Sequence, residues 1–122
     1  MLLPRESLKI ALLRHDFAQA GKFAEEVLKT EPLDPQANFA LGMYNLMAER
    51  YQEAIEHLEK VLKRLPEDPI VLNNLAMCYD RLKFPDKALQ CAERALKAAP
   101  KNQSIRENLE RYRKAAEAQP LF

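Results

Sequence analysis

Three prolines set the frame of this chain. Pro32, Pro66 and Pro100 stand 34 residues apart, and the same interval separates Asp34, Asp68 and Asn102, and Leu41, Leu75 and Leu109. Ala20, Ala54 and Ala88 keep the register, as do Val27, Val61 and Ala95, and Gly42 is answered by Ala76. A fixed period of this length decides architecture before any local reading does, because each unit buries its apolar side only by stacking on its neighbours.

Within one period the sequence spells two helices. In "DPQANFALGMYNLMAE" Asp34 can accept hydrogen bonds from the free amides of a first turn, and Pro35 sits where a missing N–H costs nothing. "DPIVLNNLAMCYDRL" repeats the device with Asp68 and Pro69, and "NQSIRENLERYRKA" with Asn102 alone. A second helix follows a short turn each time, with apolar residues at helical spacing such as Ala54, Leu58, Val61, Leu62 and Leu65. Pro66 and its equivalents end these helices. The small residues Gly42 and Ala76 are expected opposite Ala54 and Ala88, where two helix backbones approach closely.

The period, the helix pairs, the small crossing residues and the closing proline resemble the tetratricopeptide repeat family. The residues that carry the resemblance in the second unit are Leu41, Gly42, Tyr51, Ala54, Leu58, Val61 and Pro66; in the third they are Leu72, Leu75, Ala76, Tyr79, Ala88, Ala92, Ala95 and Pro100. The first unit is degenerate: Phe17, Ala20, Ala24, Val27 and Pro32 fit, but Ser7 and Leu8 replace the usual leucine and small residue. The fold this implies is all-α, a right-handed superhelical array of three helix-turn-helix repeats over residues 1–34, 35–68 and 69–102. A capping helix and tail over 103–122 would close one domain, with Ile105, Leu109 and Tyr112 on its packed face. The closing "AQPLF" is expected to fray or to begin a further element.

Composition narrows the function classes. A chain of 122 residues, 48% hydrophobic and 30% charged, has the balance of an ordinary globular domain. Its 19 basic and 18 acidic residues leave a net charge of +1, which disfavours nucleic acid and anionic membrane surfaces. No apolar run is long enough for a membrane span and no secretory signal is evident, so the default expectation is cytoplasmic, a targeting segment being able to lie outside this sequence. Cys78 and Cys91 are thirteen apart with no CxxC, a spacing expected of buried thiols rather than a zinc or redox site. His15 and His57 lie in different units, and His57, among Glu53, Glu56 and Glu59, reads as a surface residue. There is no phosphate loop, GxSxG or HExxH, so neither an enzyme, a cofactor nor a metal is expected.

The resemblance also implies where a partner would lie, since the first helix of each repeat lines the inner wall of such arrays. In the second repeat the core stripe reads Ala37, Leu41, Tyr44 and Ala48, yet Phe39, Met43, Leu46 and Met47 are apolar as well. One repeat later the columns of Phe39, Met43 and Met47 hold Asn73, Met77 and Arg81; one repeat earlier they hold Arg5, Lys9 and Leu13, and on the cap Glu107, Arg111 and Ala115. The expected site is an apolar, methionine-rich groove of Phe39, Met43, Met47 and Met77, where Asn73 and Asn74 bond a peptide backbone and Arg5, Lys9, Arg81 and Arg111 favour acidic flanks. The other reading of the same residues stays open: methionines as core, and amides bonded to neighbouring carbonyls or water. One subclass of the family clamps the terminal carboxylate of chaperone tails; its five polar positions fall here on Arg5, Lys9, Ala40, Ile70 and Asn74, and only Arg5 keeps the expected character. The expected partner is therefore a protein or peptide of another kind, and the rival expectation is a homo-oligomer or assembly module whose groove is covered by a second copy or a neighbouring domain.

Overall fold

The structure, a computed structural model, describes residues 2–118; of "AQPLF", all but Ala118 lies outside them, and with it the expectation for that stretch. The described residues are all-helical: α1 (Pro4–Leu13), α2 (Phe17–Leu28), α3 (Pro35–Met47), α4 (Tyr51–Arg64), α5 (Pro69–Arg81), α6 (Pro85–Ala98) and α7 (Gln103–Glu117). They form two compact units, Met1–Pro66 with α1 to α4 and Glu67–Phe122 with α5 to α7.

The repeated polar residues do the work their positions demand. Asp34 accepts from the amide of Ala37, Asp68 from those of Ile70 and Val71, and Asn102 from that of Ile105, each supplying about 1 kcal/mol of helix stability. At the other end, α1, α3 and α5 stop in one way. The amides of Asp16, Arg50 and Phe84 reach back to the carbonyls of Ala11, Asn45 and Tyr79 at 2.8 to 2.9 Å, and the preceding residues His15, Glu49 and Lys83 have φ of 55°, 61° and 67°. These are left-handed closures of the kind glycine favours, made here without glycine.

Packing within each repeat rests on one exchange of volume. Leu8 is fully buried in a cluster with Ala11, Ala20 and Ala24. Thirty-four residues later the sizes are inverted: Gly42 faces Leu58, and a Cβ added to Gly42 would stand 2.7 Å from Leu58 Cδ2 and 3.7 Å from the Ala54 carbonyl. Leu58, more than the expected Ala54, is therefore what excludes a side chain at position 42. In the third repeat both partners are small, Ala76 and Ala92, and the bulk of that cluster comes from Leu109 and Tyr112 on α7.

Two elements of the expected core differ. Tyr44 and Ala48 are exposed, Tyr44 lying beneath the Arg50 guanidinium at 5.3 Å, while Asn38 and Asn45 are buried. The face of α3 turned to α4 runs through Asn38, Gly42 and Asn45, one position away from the stripe the apolar residues imply. Asn38 Nδ2 donates to the carbonyls of Pro32 and Asp34, both at 3.0 Å, which leaves its Oδ1 to accept from His57 Nδ1 at 3.0 Å. That geometry assigns the His57 proton to Nδ1. His57 is thus half-buried and bonded rather than a surface residue. Asn45 Nδ2 donates to the Leu41 carbonyl and Oδ1 accepts from Arg50 Nε, both at 2.9 Å, which ties the α3–α4 turn to α3. One repeat later, positions 79 and 84 answer 45 and 50, and there Tyr79 and Phe84 meet edge to face at 6.5 Å.

α7 closes its unit as a cap. Ile105, Leu109 and Tyr112 are buried, but the columns that on α5 hold Leu72, Ala76 and Tyr79 hold Arg106, Glu110 and Arg113 on α7. Glu110 pairs with Arg113, and Arg106 donates to the Pro100 carbonyl. Where α5 accepts α6, α7 presents charge to water.

Two measurements check this packing. Gly42→Leu alone is expected to cost about 1–3 kcal/mol by overpacking and Leu58→Ala about 2–5 by leaving a cavity. The double variant rebuilds the Leu8–Ala24 arrangement, so its loss in urea denaturation should be smaller than the sum by about 1 kcal/mol or more; strict additivity would contradict the exchange. Gly21→Ala, whose Cβ finds only ordinary contacts of 3.5 to 3.7 Å, should be neutral or stabilising. The second concerns pH. Burial, then Lys60, lowers the His57 pKa below 6.5, against the opposing pull of Glu56. Above pH 6.5 both folded and unfolded chains carry a neutral imidazole; as pH falls below it, the unfolded chain binds the proton first and stability declines until the folded imidazole protonates too. Between pH 7 and about pH 5 the melting temperature should fall, and His57→Gln should flatten most of that slope.

Candidate functional site

The expected site residues fall in both units. In unit 1, Phe39, Met43 and Met47 follow one another at i, i+4 and i+8 on α3, so they form one slightly drifting row. Phe39 and Met43 are half-buried, whereas Met47 is 64% exposed. The equivalent row of α1 holds Arg5, Lys9 and Leu13, and Leu13 is 82% exposed. Along these two rows the open apolar groups therefore sit at the C-terminal ends of the helices, toward the left-handed turns, where Leu13 joins Met47.

Arg5 is already committed. Its guanidinium pairs with Glu31 and lies 3.0 Å from an oxygen of Asp34, the residue that also caps α3. These hydrogen bonds, Asp34 first, hold the guanidinium pKa above its ordinary value. Lys9 is exposed, Ala40 is buried and so unable to supply a ligand group.

In unit 2, the paired amides of α5 have different fates. Asn73 Oδ1 accepts from Asn108 Nδ2 at 3.2 Å, so that side chain joins α5 to α7. Asn74, half-buried, makes no side-chain hydrogen bond among the described residues. Asn74, Met77 and Arg81 fall at i, i+3 and i+7 and share a stripe of α5, with Met77 half-buried and Arg81 exposed. Arg111 is exposed, its guanidinium 5.4 Å from the centre of the Tyr112 ring. Ile70, at the start of α5, is an exposed apolar residue where a clamp would need a polar one.

The cysteines are structural in character. Cys78 is buried and Cys91 half-buried; burial, with a smaller contribution from Cys91, pushes the Cys78 thiol up to about 11 and away from thiolate chemistry. Among the described residues no three metal-ligating side chains converge, and no helix is long and apolar enough to cross a membrane.

Sequence comparison gives the family. Tetratricopeptide repeat family models match residues 45–112 and 9–69. A search of curated proteins finds no match. Among solved structures, the first TPR of Spaghetti (RPAP3) bound to the HSP90 peptide SRMEEVD is similar at a TM-score of 0.82 and 12% identity, over 94% of this chain and 91% of that one. The UNC-45 chaperone is similar at 0.80 and 25% identity over 93% of this chain, which spans 13% of it. The TPR2B-domain:pHsp70 complex of yeast Sti1 is similar at 0.73 and 23% identity, over 95% of both chains. These likenesses agree with seven helices laid out in 34-residue pairs, and with models that together run through all three repeats, the chain belongs to the tetratricopeptide repeat family.

Proposed function

We propose that this chain is a non-enzymatic protein-interaction scaffold that holds a peptide or helix of a partner protein against the first helices of its repeats. The observation that carries the reading is the pair Leu13 and Met47, equivalent residues one repeat apart, both largely exposed on helices whose other apolar side is already packed. A helix with apolar groups on two sides has a second surface to cover, and flexible thioethers adapt to many shapes. In unit 2, Asn74 offers a donor and an acceptor that the described residues leave unused, beside Met77. The structural relatives bound to an HSP90 peptide and to pHsp70 support a peptide as the class of partner. Ala40 and Ile70, and an Arg5 engaged by Glu31 and Asp34, speak against a chaperone-tail clamp here.

The test is a peptide-display selection against the chain, followed by affinity measurements on Met47→Glu. Met47 is exposed, so the helical signal should be unchanged while Kd for the selected peptides rises tenfold or more; retained affinity would overturn the assignment. Light-scattering mass over a concentration series separates the rival. A wild-type dimer that Met47→Glu splits would mean that the surface serves self-association instead.

A further inference from the structure

We infer that unit 2 carries a carboxylate-binding cleft at the α5–α6 turn, built on Arg81 and Lys83, which takes an acidic side chain of the partner; it rests on the peptide-binding reading and assigns that reading its acid-recognition site. A cavity of about 320 Å³ opens there, lined by Asp80, Arg81, Lys83, Pro85, Ala115 and Ala118. Two cations face one carboxylate around it. Among the described residues, neither Arg81 nor Lys83 has a carboxylate within ion-pair range, although Asp80 shares the cavity. The contrast with Arg5 decides where acidity can be read: that guanidinium already has two carboxylates of its own chain, so a third gains little from it.

The rest of the wall suits an acidic residue. Ala115, Ala118 and Pro85 are small or flat apolar surfaces against which the methylenes of a glutamate can lie while its carboxylate meets the guanidinium, which accepts a carboxylate with two parallel hydrogen bonds. Tyr112 precedes Ala115 by one turn on α7, and its buried side chain is within electrostatic reach of Arg111, Asp80 and Arg81. Lys83 is held at φ 67° in the closure of α5, so its backbone, and with it the root of its ammonium-bearing chain, is fixed at the rim.

The probe is acetylated, amidated tri-glutamate, titrated into the isotopically labelled full chain at low salt and followed by the NMR signals of residues 80–85 and 112–118 and the Arg81 side chain. Saturable shifts confined to those signals are expected with tri-glutamate and not with tri-glutamine. Arg81→Gln should weaken binding tenfold or more, while Lys63→Gln, which removes the same charge from exposed α4, should leave it within about twofold; the same spectra report that each variant is folded. Absent or non-saturable shifts, equal shifts with tri-glutamine, or unchanged affinity in Arg81→Gln would overturn the cleft. A display-selected peptide that depends on Met47 but not on Arg81 would overturn the cleft while leaving the scaffold reading intact.

Discussion

Everything in this molecule depends on how closely the two helices of a repeat can approach. Column 8, 42, 76 and column 24, 58, 92 fill that space in three ways: Leu8 and Ala24 in one cluster, Gly42 against Leu58, and Ala76 and Ala92 in a cluster whose bulk comes from α7. Interiors are close-packed, so a small residue at the crossing is answered by bulk nearby: Leu58 for Gly42, and Leu109 and Tyr112 for Ala76 and Ala92. The apparent degeneracy of the first repeat is a consequence. Leu8 is large because Ala24 is small, and α1 is packed through Leu8 and Ala11 without the small residue the motif leads one to look for.

The same substitution of means recurs in the turns. Positions 45 and 50 join through an asparagine and an arginine, and positions 79 and 84 join through two aromatic rings, while the backbone closure beneath them is the same. Asn38 and His57 occupy columns that one repeat later hold Leu72 and Cys91. A polar pair in a core position is tolerable only when every donor and acceptor is met, and Asn38 meets this with two carbonyls and one imidazole N–H. Through His57 the second repeat carries a component of stability that is linked to proton binding below pH 6.5.

These packing solutions also determine which of the proposed site residues keep exposed or unengaged groups. Arg5 and Asn73, both prominent in the sequence, are drawn into internal bonds with Glu31, Asp34 and Asn108. Met47, Leu13, Asn74 and Arg81 are left with exposed or unengaged groups. Each first helix spends some of its side chains on its own packing, and the proposed scaffold function draws on those that remain.

The 34-residue period, the helix starts at Asp34, Asp68 and Asn102, and the all-helical architecture were determined by the sequence alone, because they rest on local rules: capping geometry, proline's missing donor and apolar spacing. The same information placed the cap, since Ile105, Leu109 and Tyr112 share one face of a last helix that is otherwise charged and has no second helix after it among the described residues. Hydrophobicity found half of α3: Ala37 and Leu41 are buried as their spacing implies, but Tyr44 and Ala48 are exposed, and the second buried face, through Asn38 and Asn45 at i and i+7, does not register in an apolar count. Which amide, cation or sulfur is engaged was decided only by tertiary structure. Asn73 and Asn74 are chemically identical and adjacent, yet α7 brings Asn108 to Asn73 and not to Asn74.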